Sequence, residues 1–248
     1  MSPIISSVNQ SFGFATTSPK IVTNGLVLYL DAGQSTSYNG GTTWRDLSGR
    51  GNNGTLTNGP TYSSANGGSI VFDGVNDYGI IADSSDFTVT ATTVCAWFNA
   101  SVLNDASYSS RGLVSSYDDS GRQYYGLRVT AALSNNKFQT YYDDNAGYGF
   151  KTLQGITILN ENQWYYGCMT WKSGTFHRTY LNGVQEAEET NVATTTLNIS
   201  TAFYIGNDFA GSTTYFNGNI AQASIYNRAL TATEIQQNFQ ALRGRFNI

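Results

Sequence analysis

The sequence predicts an all-β protein, two antiparallel sheets packed as a sandwich and closed by one short C-terminal helix. Three observations carry this. Apolar residues alternate with polar ones along short runs, as strands with one face in a core require. Asn-Gly pairs at 24–25, 39–40, 58–59, 66–67, 182–183 and 217–218 supply residues that tolerate the positive φ of tight hairpin turns. The chain holds 26 Gly but only 3 Pro, with 17 Tyr and 13 Phe, which suits many strands whose aromatics pack on pleated faces. Its 248 residues are enough for one large β domain with a sizeable core.

In chain order, residues 1–23 read as an N-terminal arm and 24–248 as the domain. The arm is Ser/Thr-rich but carries Ile4, Ile5, Val8, Phe12 and Phe14, so it is not a charged disordered tail. Those side chains want a surface, either the protein's own domain or a neighbouring subunit. The strands are expected to bring Leu28, Leu30, Val71, Phe72, Trp97, Trp171, Ile205, Ile220 and Ile225 into or beside the core. Asn182-Gly183, between Thr179-Tyr180-Leu181 and Val184, is the clearest hairpin turn. The stretches S-Y-D-D-S-G at 116–121 and Y-Y-D-D-N-A at 141–146 read as acidic turns ending neighbouring hairpins.

The chain then closes on a helix over 231–242. Thr231 is placed to accept from the N–H of Glu234, whose side chain can reach back to the N–H of Thr231, a capping box. Leu230 and Ile235 have the spacing of a hydrophobic staple. Ile235, Phe239 and Leu242 form one apolar stripe, with Gln236, Gln237 and Gln240 facing water.

The ending I-G…F-N-G-x-I…I-Y-N-R-A-L-T-x-x-E-I resembles the laminin-G-like, concanavalin A-type jelly-roll family. So do G-L-V-L-Y-L-D at 25–31, W-R-D-L-S-G-R-G-N-N-G at 44–54, S-I-V-F-D-G-V-N-D-Y at 69–78, T-V-C-A-W-F at 93–98 and the Trp-containing run at 164–183. The resemblance implies a jelly roll over roughly residues 24–246. It fixes no activity, because one fold hosts many functions.

Net charge is −4 and the 13 basic residues are scattered, so nothing forms the basic stripe that phosphate neutralisation requires, and a nucleic-acid partner is not expected. No run approaches the ~20 apolar residues of a membrane span, and the N-terminus has no signal-peptide pattern. Cys95 and Cys168 lie in predicted strands without zinc spacing. Two buried free thiols are the plainer reading, a cross-strand disulfide the alternative.

Enzymatic chemistry finds little support in the inventory. His177 is the only histidine and lies in the alternating run T-F-H-R-T-Y, where a satisfied or solvent-facing strand residue is the plainer reading than a base. Sugar hydrolases of this fold class carry E-x-D-x-x-E on one strand, whereas Glu186-Ala187-Glu188-Glu189 has the wrong spacing and reads as a solvated edge. No cofactor is required. Laminin-G-like domains often hold calcium near the sandwich rim, and the resemblance points to Asp73 and Asp77 as ligands, set against the reading that Asp73 stabilises its own turn.

The family's most frequent non-enzymatic role is glycan binding. Tyr117, Asp118, Tyr142, Asp143, Asp144 and Tyr148 are the candidate glycan-binding residues, offering rings to stack on sugars and carboxylates to bond hydroxyls. Full-length laminin-G-like chains of this kind look like phage virion proteins. The expectation is therefore a non-enzymatic structural protein on the surface of a bacteriophage or virus particle, made in the host cytoplasm. Its partners would be other virion proteins through the arm and a host-surface glycan, with self-association left open. A carbohydrate-binding adhesion module is the alternative, a glycoside hydrolase the weakest reading.

Overall fold

The computed structural model describes residues 19–103, 110–117, 123–130, 136–143, 150–197, 201–208 and 214–248. Among them the strands are β1 (Leu26–Asp31), β2 (Thr43–Trp44), β3 (Gly54–Thr57), β4 (Thr61–Ser63), β5 (Ser69–Asp73), β6 (Tyr78–Ile81), β7 (Ala91–Ala100) and β8 (Ser110–Tyr117). They continue with β9 (Gln123–Thr130), β10 (Lys137–Asp143), β11 (Phe150–Ile158), β12 (Trp164–Lys172), β13 (Phe176–Leu181), β14 (Val184–Glu189), β15 (Phe203–Ile205) and β16 (Asn217–Tyr226), and helix α1 (Ala232–Leu242) follows. They form two antiparallel sheets. The first runs β14-β13-β12-β7-β16-β5-β4 with β1 also on β16, and the second β11-β10-β9-β8-β15-β6-β3-β2.

Three layers result: α1, the first sheet, the second sheet. Strand β7 shows why its sequence does not alternate apolar with polar. Val94, Ala96 and Phe98 join the cluster between the sheets, while Cys95 and Trp97 join a second cluster beneath α1. Both faces of a middle layer are buried, so both must be apolar. Leu28, Leu30, Phe72, Trp171, Ile205, Ile220 and Ile225 are in the inter-sheet core as expected, and Val71 is half-buried beside it. Trp97 belongs to the second cluster, stacked on Phe246 at 4.2 Å and Phe239 at 5.7 Å.

The helix is capped as its sequence dictates. Glu234 N–H donates to Thr231 Oγ1 (3.3 Å), and Thr231 N–H donates to Glu234 Oε2 (2.9 Å). Arg228 clamps the same carboxylate at 2.6 and 3.0 Å, and this charged donor holds the Glu234 carboxyl down at about 2. Leu230 and Ile235 of the staple are both buried. Gln237 is exposed, but Gln236 and Gln240 are half-buried, and Asn238 is buried. Asn238 Oδ1 accepts from Val22 N–H (2.8 Å), so the helix straps the chain entering the domain.

Cys95 and Cys168 form a disulfide, which corrects the free-thiol reading. Seventy-three residues separate them in sequence, but β7 and β12 are neighbours whose register sets the two opposite each other, with Cα atoms 4.2 Å apart. At Asn182-Gly183 the expected hairpin forms, both residues having positive φ (50° and 81°) between β13 and β14. Asp46 of the W-R-D-L-S-G-R-G-N-N-G loop accepts from the N–H groups of Tyr29, Ser48 and Asn52, so that motif's acid organises a turn against β1. Asp31, 1% exposed, pairs with Arg245 at 2.7 Å and fastens the C-terminus to β1. Among the described residues no helix is long and apolar enough to cross a membrane.

Candidate functional site

The outer face of the second sheet, away from the first, gathers polar and aromatic side chains. Along β9, Tyr125, Leu127 and Val129 turn into the core, which leaves Arg128 on the outer face. After β15 the chain crosses over β8. Gly112 makes room for it, since a Cβ there would come within 2.2 Å of the Asn207 carbonyl carbon. The crossing delivers Asp208, 1% exposed, to Arg128. Arg128 Nη1 donates to Asp208 Oδ2 at 3.1 Å, Ser110 Oγ donates to the same oxygen at 3.1 Å, and Gln123 Nε2 donates to the Asp208 backbone carbonyl at 2.8 Å.

Burial pushes the Asp208 carboxyl above its ordinary value, against the pull of Arg128. The buried Tyr141 hydroxyl lies beside both the Asp208 carboxylate and the Ser115 hydroxyl and interacts with each, although none of these contacts has full hydrogen-bond geometry. Burial and then the nearby Asp208 charge push Tyr141 well above its ordinary value, so it stays a phenol. Arg128 is fixed on its other side by Gln139 Oε1 (2.7 Å) and lies over the rings of Tyr141 (5.2 Å) and Phe150 (5.1 Å). Beside this cluster Tyr117 stacks on Tyr204 at 4.0 Å, Tyr204 meets Tyr78 at 5.9 Å, and Asn207 Nδ2 donates to Tyr117 Oη at 3.0 Å. Tyr78 and Tyr204 are half-buried and Phe150 is exposed, so ring surface remains accessible. Half-exposed rings held beside a buried ion pair suit a ligand that offers an apolar face.

Of the candidate glycan-binding residues expected from the sequence that lie among the described residues, Tyr117 joins this outer-face cluster and Tyr142 does not. Tyr142 is corrected outright: it points between the sheets, 5.6 Å from Trp171 and 5.2 Å from His177, and no face of it is open. Tyr117 and Asp143 are also buried, although Tyr117 belongs to the outer-face stack. Tyr124 and Tyr125 are both buried despite pointing to opposite faces. Asp118, Asp144 and Tyr148 lie outside the described residues, as do Ile4, Ile5, Val8, Phe12 and Phe14 of the arm. Arg128 and Asp208 were missed. Two signals were present, Arg128 inside the mostly apolar run Y-Y-G-L-R-V and the N-D that follows I-G at 205–206.

Asp73 and Asp77 serve their own turn. Asp73 Oδ1 accepts from the N–H groups of Val75 (2.8 Å) and Asn76 (3.3 Å), and Asp77 Oδ2 from Asp73 N–H (3.1 Å). Burial pushes Asp77 above its ordinary value. Among the described residues no three His, Cys, Asp or Glu side chains cluster as metal ligands would. The Glu186–Glu189 run lies on the edge strand β14, where Glu188 pairs with Arg178 at 2.8 Å and Glu186 accepts from Ile156 N–H at 3.0 Å.

His177 is 1% exposed and its Nε2 meets Thr140 Oγ1 at 2.7 Å in the inter-sheet core. Burial lowers its pKa from 6.5 to about 3, so the folded protein keeps it neutral. Its stabilising contribution is complete above pH 6.5. It is lost as pH falls toward 3, because the unfolded chain takes up a proton that the fold refuses. Between pH 6.5 and 4.5 the loss should be about 2–3 kcal/mol, at roughly 1.4 kcal/mol per unit. Urea titrations across that range check it: His177→Gln should flatten the acid limb, and an unchanged slope would contradict the assignment.

A laminin-G-like family profile, described as the concanavalin A-like lectin/glucanases superfamily, matches residues 73–236. No curated protein matches the chain. Among solved structures, the binding domain of Paraclostridial Mosquitocidal Protein 1 superposes with a TM-score of 0.68 at 16% identity, covering 88% of this chain and 52% of that one. A botulinum neurotoxin type C structure, from a toxin whose cell entry depends on interaction with two ganglioside molecules, gives 0.68 at 11% identity, covering 89% and 52%. The botulinum neurotoxin DC binding domain in complex with rat synaptotagmin II gives 0.68 at 11%, covering 89% and 52%. The chain thus spans about half the length of these toxin domains, and at such identities the likeness is one of fold. With two thirds of its length matched in sequence and its two antiparallel sheets in place, this chain belongs to the concanavalin A-like lectin/glucanase superfamily as a laminin-G-like jelly roll.

Proposed function

We propose that this protein is a non-enzymatic binding module that takes hydroxyl-rich glycans on the outer face of its second sheet. The observation that carries the reading is the Tyr117–Tyr204–Tyr78 stack, whose Tyr78 and Tyr204 rings are half-exposed on the outer face beside the Arg128–Asp208 pair. A sugar supplies an apolar ring face for the tyrosines. The receptor-binding roles of the superposed toxin domains favour recognition over catalysis. So do the burial of His177 and the use of Glu186 and Glu188 as edge ties. A glycan array tests it: wild type should retain a defined set of glycans, and Tyr78→Ala/Tyr204→Ala should lose at least tenfold in affinity. Turnover of a bound glycan, or full retention by the double variant, would overturn the reading.

We further propose that the module is displayed on a bacteriophage particle and held there by its N-terminal arm. This rests on the sequence motifs and on the apolar side chains of residues 4–14. Deleting residues 1–18, short of the strap at Lys20–Val22, should leave a folded domain absent from purified particles. Particles that incorporate the truncated chain at the full-length level would dispose of the arm as anchor.

A further inference from the structure

The side of the sandwich where the sheets end in β14 and β11 carries an apolar groove. Four of the six exposed large apolar side chains among the described residues sit on these two strands, Phe150, Ile156 and Ile158 on β11 and Val184 on β14. Ile156 is 72% exposed and Val184 64%. Ile156, Ile158 and Val184, with Tyr165, Leu181 and Glu186, line a space of about 510 Å³ between the two edges. Glu186 is already satisfied there, accepting from the N–H groups of Ile156 (3.0 Å) and Thr157 (3.3 Å) and from the Thr157 hydroxyl. Large aliphatic side chains gathered in water mark a surface that something covers.

Strand β11 is the edge suited to accept another strand. Of the strands that end the sheets, β2 has two residues and β4 three, and β14 carries Glu186, Glu188 and Glu189, charges that blunt an edge. Strand β11 runs nine residues, F-K-T-L-Q-G-I-T-I, with Lys151 as its single charge. The chain itself contains a segment of matching kind. Residues 1–18 lie outside the described residues and hold no charged side chain, and Ile4, Val8, Phe12 and Phe14 all fall at even positions. Laid out as a strand, such a run shows these four on one face, with Ser7, Asn9, Ser11 and Gly13 on the other. Backbone pairing along an open edge, with alternate side chains in apolar pockets, is the physics of strand addition.

Where the arm leaves the domain decides whose groove it can fill. Helix α1 turns Gln237 and Asn238 to the entering chain, at the Lys20 carbonyl (2.8 Å) and Val22 N–H (2.8 Å), and Gln236 and Phe239 to Gly183 of the β13–β14 turn. At about 100° per residue these pairs point in opposite directions, so the arm and the groove lie on opposite flanks of the helix. Five residue steps from Phe14 to Pro19 span at most ~17 Å. The half-turn round a helix roughly 10–12 Å across uses all of it. We propose that residues 4–14 of one copy bind the β11–β14 groove of a second copy, pairing along β11 and covering Ile156, Ile158 and Val184. This rests on the reading of the arm as the attachment segment and names the neighbouring subunit as another copy of this chain.

Sedimentation equilibrium of the full-length protein tests it. Wild type should self-associate reversibly, and Val8→Ser/Phe12→Ser in the arm or Ile156→Ser/Val184→Ser in the groove should each weaken association at least tenfold. Mixing the two double variants should give mixed complexes, because one brings an intact groove and the other an intact arm. Both groove positions are exposed, so melting transitions should stay at the wild-type value. A wild type that is monomeric up to about 1 mM, double variants that associate as wild type does, or a mixture that stays monomeric would overturn the proposal. So would a monomer whose Ile156 and Val184 amide resonances shift on Val8→Ser/Phe12→Ser, since its arm would occupy its own groove. A monomeric wild type whose form lacking residues 1–18 is absent from particles would overturn the pairing of copies while leaving the arm as anchor to a different protein.

Discussion

Reducing the Cys95–Cys168 bond, or replacing both residues by Ala, is expected to lower the unfolding free energy by about 4 kcal/mol. The chain-entropy treatment predicts this for a closed loop of some seventy residues. The bond joins β7 to β12 in the middle of the first sheet, against the cluster under α1 that also holds Trp97 and Phe239. Its loss should therefore loosen the helix as well as the sheet. Urea unfolding with and without reductant checks it, with mass spectrometry confirming the thiol state. A midpoint that does not move after complete reduction would contradict the assignment. Such a bond persists in oxidising surroundings.

Asp31→Ala is expected to cost about 3–5 kcal/mol, because it strips the partner from a largely buried guanidinium. The carboxylate accepts from Arg245 Nη1 at 2.7 Å, Gly33 N–H at 2.9 Å, Tyr29 Oη at 3.1 Å and Gln34 Nε2 at 3.2 Å. Arg245 also donates to the Gly68 carbonyl at 3.1 Å, so one ion pair ties β1, the turn before β5 and the C-terminus together. Arg245→Met keeps much of the stem's packing and should cost less than Arg245→Ala. Equal stability of Asp31→Ala and wild type in denaturant titrations would refute the role given to this pair.

Much of the fold was legible because its signals are local. The capping box at Thr231, the staple from Leu230 to Ile235 and the Asn182-Gly183 turn each depend on residues within a few positions of one another. What escaped depends on the topology. The pairing of Cys95 with Cys168 follows from β7 and β12 being adjacent, and the burial of Tyr142 follows from the second sheet facing His177 and Trp171 across the core. The site escaped for the same reason. Arg128 and Asp208 are eighty residues apart and meet only because the chain after β15 crosses Gly112. The tyrosine-rich segment was noticed by composition, but alternation on a strand gives two faces without saying which is covered.

The most direct test of the binding account is calorimetric titration of the best glycan from an array into wild type, Asp208→Asn and Tyr78→Ala/Tyr204→Ala, each first shown to be folded by its melting transition. The account predicts saturable binding by wild type and at least a tenfold loss of affinity in both variants, Asp208→Asn removing the buried carboxylate and the double variant the ring surface. Wild-type affinity in both folded variants would contradict it, and would move the site off the outer face of the second sheet.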